Sequence, residues 1–251
     1  MKCWCLSIRK HRMHDLRWTM PVARWSATAA AVAADISFIE PIVRRRLSSL
    51  SRIALKVAHD CVAERERVRV VFASRHGELR RTTDILCAIS AGEPVSPTAF
   101  SLSVLNAMTG IFGIARGDRS PASAISAGAE TLGYALLEAY AQFMADPSSP
   151  VLVVYADEPA DAAYGTIEDE VQGGALAILL DTRAAAGHLA CTISGTGGRS
   201  GARTSTLAPA PAHDNFRTQS EALQRCLDTQ APAAWQNAGA TWQWSWHEDA
   251  A

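Results

Sequence analysis

The stretch PVLVVYADEP, residues 150–159, runs through six apolar positions, Val151 to Ala156, before closing on Asp157 and Glu158. A run that is apolar at every position fits a strand covered on both faces. Alternation would instead mark a strand with one wet face. A doubly covered strand requires neighbouring strands on either side and helices above and below. The chain is therefore expected to be α/β, with a mixed sheet covered by helices.

The flanking segments fit that frame. RRRLSSLSRIALKVAHDCVAE places Leu47, Leu50, Ile53, Ala54, Val57, Ala58 and Cys61 at three- and four-residue steps, which predicts a helix with one buried face. VRVVFAS (68–74) reads as a short buried strand. GELRRTTDILCAISAG predicts a helix stopped at Gly92, with Cys87 packed as a small apolar residue. FSLSVLNAMTGIFGIARG (100–117) predicts a helix weakened by Gly110 and Gly113. SAISAGAETLGYALLEAY (123–140) then reads as a strand, a small-residue elbow and an amphipathic helix. GGALAILLDT and HLACTISGTG predict two further strands, pairing antiparallel with each other. FRTQSEALQRCLDT predicts a short amphipathic helix, followed by a Trp-dense finish. Residues 1–40 are harder to read: CWCLSI suits a strand, and SATAAAVAADISFIEP suits an irregular or partly helical connector. The expected organisation is an ill-defined segment 1–40, a domain over 41–196 and a C-terminal extension over 197–251.

Charge excludes some functions. Twenty-four basic and 25 acidic residues leave a net charge of −1, so the chain has no field for holding nucleic acid or an anionic membrane. The run Arg44-Arg45-Arg46 reads as a solvated face. The six cysteines, at 3, 5, 61, 87, 191 and 226, form no CxxC pair. With no apolar stretch of membrane-spanning length and no signal-peptide core, a cytoplasmic protein is expected. Neither a metal nor a cofactor is expected. Asp157 and Glu158 lack a visible third ligand and read as turn or interface residues, and SGTGGRSG is followed by no Lys-Ser/Thr of a phosphate loop.

The segment PTAFSLSVLNAMTGIFGIARGDRSPASAISAGAETLGYALLEAYAQF, followed by PVLVVYADE, resembles the N-terminal half of β-ketoacyl-acyl-carrier-protein synthases. Phe100, Asn106, Gly110, Ser120-Pro121, the 123–128 strand and Glu158 stand in the family's order, and the resemblance covers about residues 40–196. It implies a thiolase-like half-domain. The upstream RRRLSSLSRIAL helix is similar to half-domains of aryl-polyene and related type II systems. The resemblance puts Ala129 where the synthases carry the cysteine that takes the acyl chain, with Glu130 beside it. A methyl group forms no thioester. The family draws its two catalytic histidines from a C-terminal half, and this chain has about half that family's length. His188, His213 and His247 lack the flanking pattern.

The resemblance therefore implies a noncatalytic subunit, like the chain-length factors of type II polyketide systems. Such a subunit pairs with a catalytic ketosynthase as a heterodimer and meets acyl carrier protein through that complex. By position, Val104, Leu105 and Met108 are candidates to line the partner's acyl tunnel, against a reading as ordinary core residues. Phe100 and Asn106 are expected to be structural, as a loop anchor and a partner for backbone groups, together with Gly110. Glu130 starts the helix favourably, faces the partner, or assists an acid–base step. The alternative is a small acyltransferase or hydrolase that reuses the half-fold with Ser126 or Cys191 as nucleophile. A third reading is a scaffold that docks carrier protein without touching chain length.

Overall fold

The computed structural model describes residues 15–30, 32–62, 67–195 and 216–248. The first strand, β1 (Leu16–Thr28), leads into a short helix α1 (Pro41–Arg44) and the long helix α2 (Ser49–Val62). Strand β2 (Arg69–Ala73) is followed by α3 (Leu79–Ser90), α4 (Pro97–Ser101) and α5 (Ala107–Arg116). Then come β3 (Ala122–Ile125), α6 (Thr131–Ala145), β4 (Val151–Asp157), β5 (Gly174–Leu180) and β6 (Gly187–Gly195). The chain closes with α7 (Gln219–Thr229), β7 (Ala233–Gln236) and β8 (Ala240–His247). The eight strands form one sheet in the order β3-β2-β4-β5-β1-β6-β8-β7, with β2 parallel to β3 and β4 and the other pairs antiparallel.

Strand β4 is buried at all seven positions. Its side chains divide between two cores: Val151, Val153 and Tyr155 face α6 and α7, while Leu152, Val154 and Ala156 face α2 and α5. Strands β2 and β5 split in the same way, which gives three layers, helix–sheet–helix. Helix α2 buries the face its spacing predicts, including Cys61, but it begins at Ser49, and α1 is a separate turn.

Four expectations are corrected. Residues 16–28 are not an ill-defined segment but a 13-residue strand in the middle of the sheet. Pro21 is tolerated there because Leu16–Pro21 pair only with β6, whereas Val22–Thr28 pair with β5 across a bulge. For the same reason β5 and β6 are not partners: β1 lies between them. The boundaries at 40 and 196 divide no structural units, since β1, β7 and β8 belong to the same sheet. The Trp-rich finish is no extension: Trp242, Trp244 and Trp246 point into the core beneath α6 and α7, with Trp18 edge-on to Trp242. The N-terminal CWCLSI and most of SGTGGRSG lie outside the described residues.

The 100–117 helix is also broken in two. α4 ends at Ser101 and α5 begins at Ala107, with turns between. Gly110 has open space around it: a Cβ there meets nothing within 4 Å, so it is not the structural glycine expected. Gly133 is the constrained one, since a Cβ would lie 2.4 Å from the Trp242 ring. Gly133→Ala is therefore expected to lose roughly 1–3 kcal/mol of stability in urea melts. Gly110→Ala, in the same assay, is expected to gain about 0.5–1 kcal/mol from helix propensity.

Candidate functional site

Strands β2, β3 and β4 run parallel, and their C-terminal ends meet on one side of the sheet, where open α/β sheets hold their sites. Three segments leave there: Ser74–Glu78, Ser126–Glu130 and Asp157–Glu158. Asp157 holds the first of them. Its side chain, 1% exposed, accepts hydrogen bonds from Ser74 Oγ (2.8 Å), Arg75 N (2.8 Å) and His76 N (3.0 Å). Burial raises its pKa above the ordinary carboxylate value, against the pull of these bonds. Burial, and then the neighbouring Asp157 charge, also pushes the Tyr155 phenol upward. Asp157 is therefore not the turn or interface residue expected but the buried acceptor on which the 74–77 loop is folded. Glu158, next to it, is only half-buried.

The elbow is tied to that loop. Ser126 Oγ donates to the Arg75 carbonyl (2.9 Å), and Gly128 makes the bend in the left-handed region at φ +60°. Thr131 Oγ1 locks the turn, accepting from Ala127 N (2.9 Å) and donating to the Gly128 carbonyl (2.7 Å). Ala129 follows, half-buried against the α6 core. Glu130 precedes α6 but makes no side-chain cap; its carboxylate accepts from Asn237 Nδ2 at 2.6 Å. That bond fastens the elbow to the β7–β8 turn of its own chain. Burial raises the Tyr134 pKa, and the Glu130 charge adds to the effect.

The loop after β4 closes the site from the other side. His76 Nε2 meets Glu170 Oε1 at 2.8 Å, and Arg75 donates to the carbonyls of Glu168 and Asp169. Burial alone would raise the Glu170 pKa, but its bonds to His76 and to Val171 N outweigh that and hold it below the ordinary value. Beyond this pair lies an open cleft of about 790 Å³ lined by Asp169–Gln172, Phe216, Arg217, Trp235 and Gln236. Arg75, His76 and Glu170 were not among the sequence candidates; the signal was the run Ser74-Arg75-His76-Gly77 directly after a buried strand.

The alternative nucleophiles do not assemble. Cys191 is fully buried on β6, and burial pushes its thiol well above the ordinary value. Ser126 spends its hydroxyl on a backbone carbonyl, while the nearby His76 is engaged by Glu170. His247 bonds Ser245 on β8, beside His188 on β6, and His213 lies outside the described residues. Among the described residues no group of three or more His, Cys, Asp or Glu could hold a metal.

The remaining candidates lie on an arm spanning α3, α4 and the turns to α5. From Leu79 to Ala107 no residue is buried. Leu86 is 56% exposed, Ile89 58%, Phe100 63% and Val104 47%. Phe100 is thus not the loop anchor expected, and Cys87 is exposed instead of packed. Asn106 precedes α5 without a side-chain cap bond, so it does not serve backbone groups as expected. Leu105 lies half-buried over Gly77, and Met108 is 2% exposed within the α2–α5 core, which removes it from any surface tunnel. Among the described residues β3 is an edge strand, with β2 as its neighbour. No helix among the described residues is long and apolar enough to cross a membrane.

The profile of the family described as "Beta-ketoacyl synthase, N-terminal domain" matches residues 16–245. No curated protein sequence matches the chain. Among solved structures, a ketosynthase in complex with its chain length factor from Xenorhabdus doucetiae matches with a TM-score of 0.72 at 22% identity, over 91% of this chain and 99% of that one. The ishigamide ketosynthase/chain length factor matches with a TM-score of 0.62 at 15% identity, over 92% and 99%. A β-ketoacyl synthase from Burkholderia phymatum matches with a TM-score of 0.53 at 11% identity, over 71% and 59%. At these identities the likeness is one of fold.

The weight assigned to Asp157 is testable by comparing neighbours. Asp157→Ala, which strands three donors, is expected to cost about 3 kcal/mol or more in chemical unfolding. Glu158→Ala is expected to stay within about 0.5 kcal/mol of the parent.

Proposed function

The chain belongs to the β-ketoacyl synthase N-terminal domain family, and on that premise we propose that it is a noncatalytic, chain-length-factor-like partner of a catalytic β-ketoacyl synthase. The observation that carries this reading is Ala129. The elbow keeps its strand, its left-handed glycine and its helix, yet the residue at the nucleophile's place offers no atom that can hold an acyl group. The platform then serves as a surface.

The unburied arm supports a heterodimer. An isolated protein that leaves Leu86, Ile89, Phe100 and Val104 in water beside an open strand edge is prone to association. A synthase subunit laid over the arm and β3 would cover both. The structural matches to ketosynthases paired with chain length factors favour the same arrangement. In this reading Phe100 and Val104, with Leu105 behind them, face the partner and close the far end of its acyl tunnel. Each methylene excluded there is worth about 0.8 kcal/mol, so one side chain suffices to set chain length. The product belongs to polyketide biosynthesis of the aryl-polyene type or to fatty-acid biosynthesis, acyl carrier protein delivers the growing chain to the complex, and the pair works in the cytoplasm.

The direct test is to co-express the chain with catalytic β-ketoacyl synthases of its own organism and ask which of them it retains. The two are expected to purify together at one-to-one stoichiometry. Leu86→Asp with Ile89→Asp is expected to separate them while the variant keeps its melting temperature, since neither residue is buried. Phe100→Ala and Val104→Ala are expected to leave the pair intact and lengthen its products, read by mass spectrometry. Products unchanged in length with an intact pair would reduce the chain to a scaffold.

A further inference from the structure

Phe100 and Val104 stand on an arm with no buried residue of its own, so their position is fixed at the arm's ends and by what leans on it. Both ends meet the 74–77 loop. The arm departs from Glu78, whose carboxylate accepts from Ser48 Oγ at 2.7 Å and from Ser51 Oγ at 2.6 Å. It returns over Gly77, where a Cβ would lie 3.0 Å from Leu105 Cδ1. Between these points α3 packs mainly on α4, which is itself part of the arm. A helix so placed opens at little cost unless something outside the arm holds it.

The loop between β4 and β5, residues 158–173, reaches across to α3. Asp161 Oδ1 accepts from Ala163 N at 2.8 Å and sets the turn from which Tyr164 projects. The Tyr164 hydroxyl stands 2.6 Å from Thr83 Oγ1, one turn into α3. Thr83 already gives its one hydroxyl proton to the Leu79 carbonyl, at 2.9 Å, so Tyr164 is the donor. With 45% of Tyr164 exposed, the hydroxyl rather than apolar burial makes this contact. The other end of the loop is fastened to the sheet. Val171 is buried, its N–H donates to Glu170 Oε1 at 2.8 Å, and that carboxylate meets His76. Arg75 takes the carbonyls of Glu168 and Asp169. The loop is a brace: one end is seated beside β5, and the other is bonded to the arm through a single hydroxyl.

We propose that Tyr164 is a positioning residue for chain length: its bond to Thr83 clasps the arm in place and so fixes where Phe100 and Val104 end the partner's tunnel. This rests on the tunnel-closing reading given above. Tyr164 acts on the placement of those side chains, not by touching the acyl chain. Without the clasp the stop is held less firmly, and growing chains run past it.

Hydrogen exchange of the purified chain tests the clasp without a partner. Tyr164→Phe and Thr83→Val each remove a hydroxyl and keep the shape of the side chain. Each is expected to speed exchange of the α3 amides about two- to tenfold and to leave β4 unchanged. The double variant is expected to exchange no faster than Thr83→Val, because both changes remove one shared bond. Thr83→Ser, which keeps the hydroxyl, is expected to match the parent. In the reconstituted pair, Tyr164→Phe and Thr83→Val are expected to broaden the products toward longer chains, read by mass spectrometry, at unchanged stoichiometry and melting temperature. Parent-like exchange of α3 in both variants overturns the proposal. So does a loosened arm whose pair makes products of the parent's length while Phe100→Ala lengthens them. If Phe100→Ala itself leaves the products unchanged, the tunnel reading falls and takes the chain-length part of the proposal with it, while the exchange result still decides the clasp.

Discussion

The left-handed turn at Gly128 joins β3 to α6, and the loops at this end of the sheet are tied to it; in the reading proposed above, Ala129 stands there in place of a nucleophile. The bend itself is fully built. Thr131 bonds both sides of it, Ser126 ties it to the loop after β2, and Glu130 reaches Asn237 across 107 residues of chain. A turn with no role would be free to lose these bonds. Their presence argues that the shape of the elbow, and of the surface next to it, is what the fold maintains.

The two faces of the molecule differ in how far they are completed. Beneath α6, the chain supplies its own cover: α7 and the β7–β8 hairpin put Trp242, Trp244 and Trp246 against the sheet, and Gly133 is small because an indole lies on it. On the side of α3 and α4 the described residues supply no comparable cover, and the apolar side chains of Leu86, Ile89, Phe100 and Val104 stand exposed. Asp157 connects these halves mechanically. It fixes the loop from which the arm departs, and it does so from inside the sheet, where a mobile loop would otherwise carry the arm with it.

The sequence made the central layers legible because their signal is local. Periodicity located α2 and α6, and the unbroken apolar run located β4. Where partners lie far apart in sequence, the reading failed. Strand β1 was missed because Pro21 and two arginines, Arg17 and Arg24, hide its alternation, and its position between β5 and β6 depends on pairings about 150 residues or more away. Helical spacing showed that α3 and α5 have apolar faces but not what those faces meet, so Cys87 was placed inside, where the fold exposes it, and Met108 was left open between tunnel and core, where the fold buries it. Asp157 looked like a turn acid because its three donors come from a loop some 80 residues earlier.

The most direct measurement is mass spectrometry of both subunits after the reconstituted pair is given a labelled acyl thioester. The label is expected on a cysteine of the synthase and nowhere on this chain, whether alone or in the complex. A covalent acyl group on this chain, at Ser126 or at any other side chain, would contradict the account.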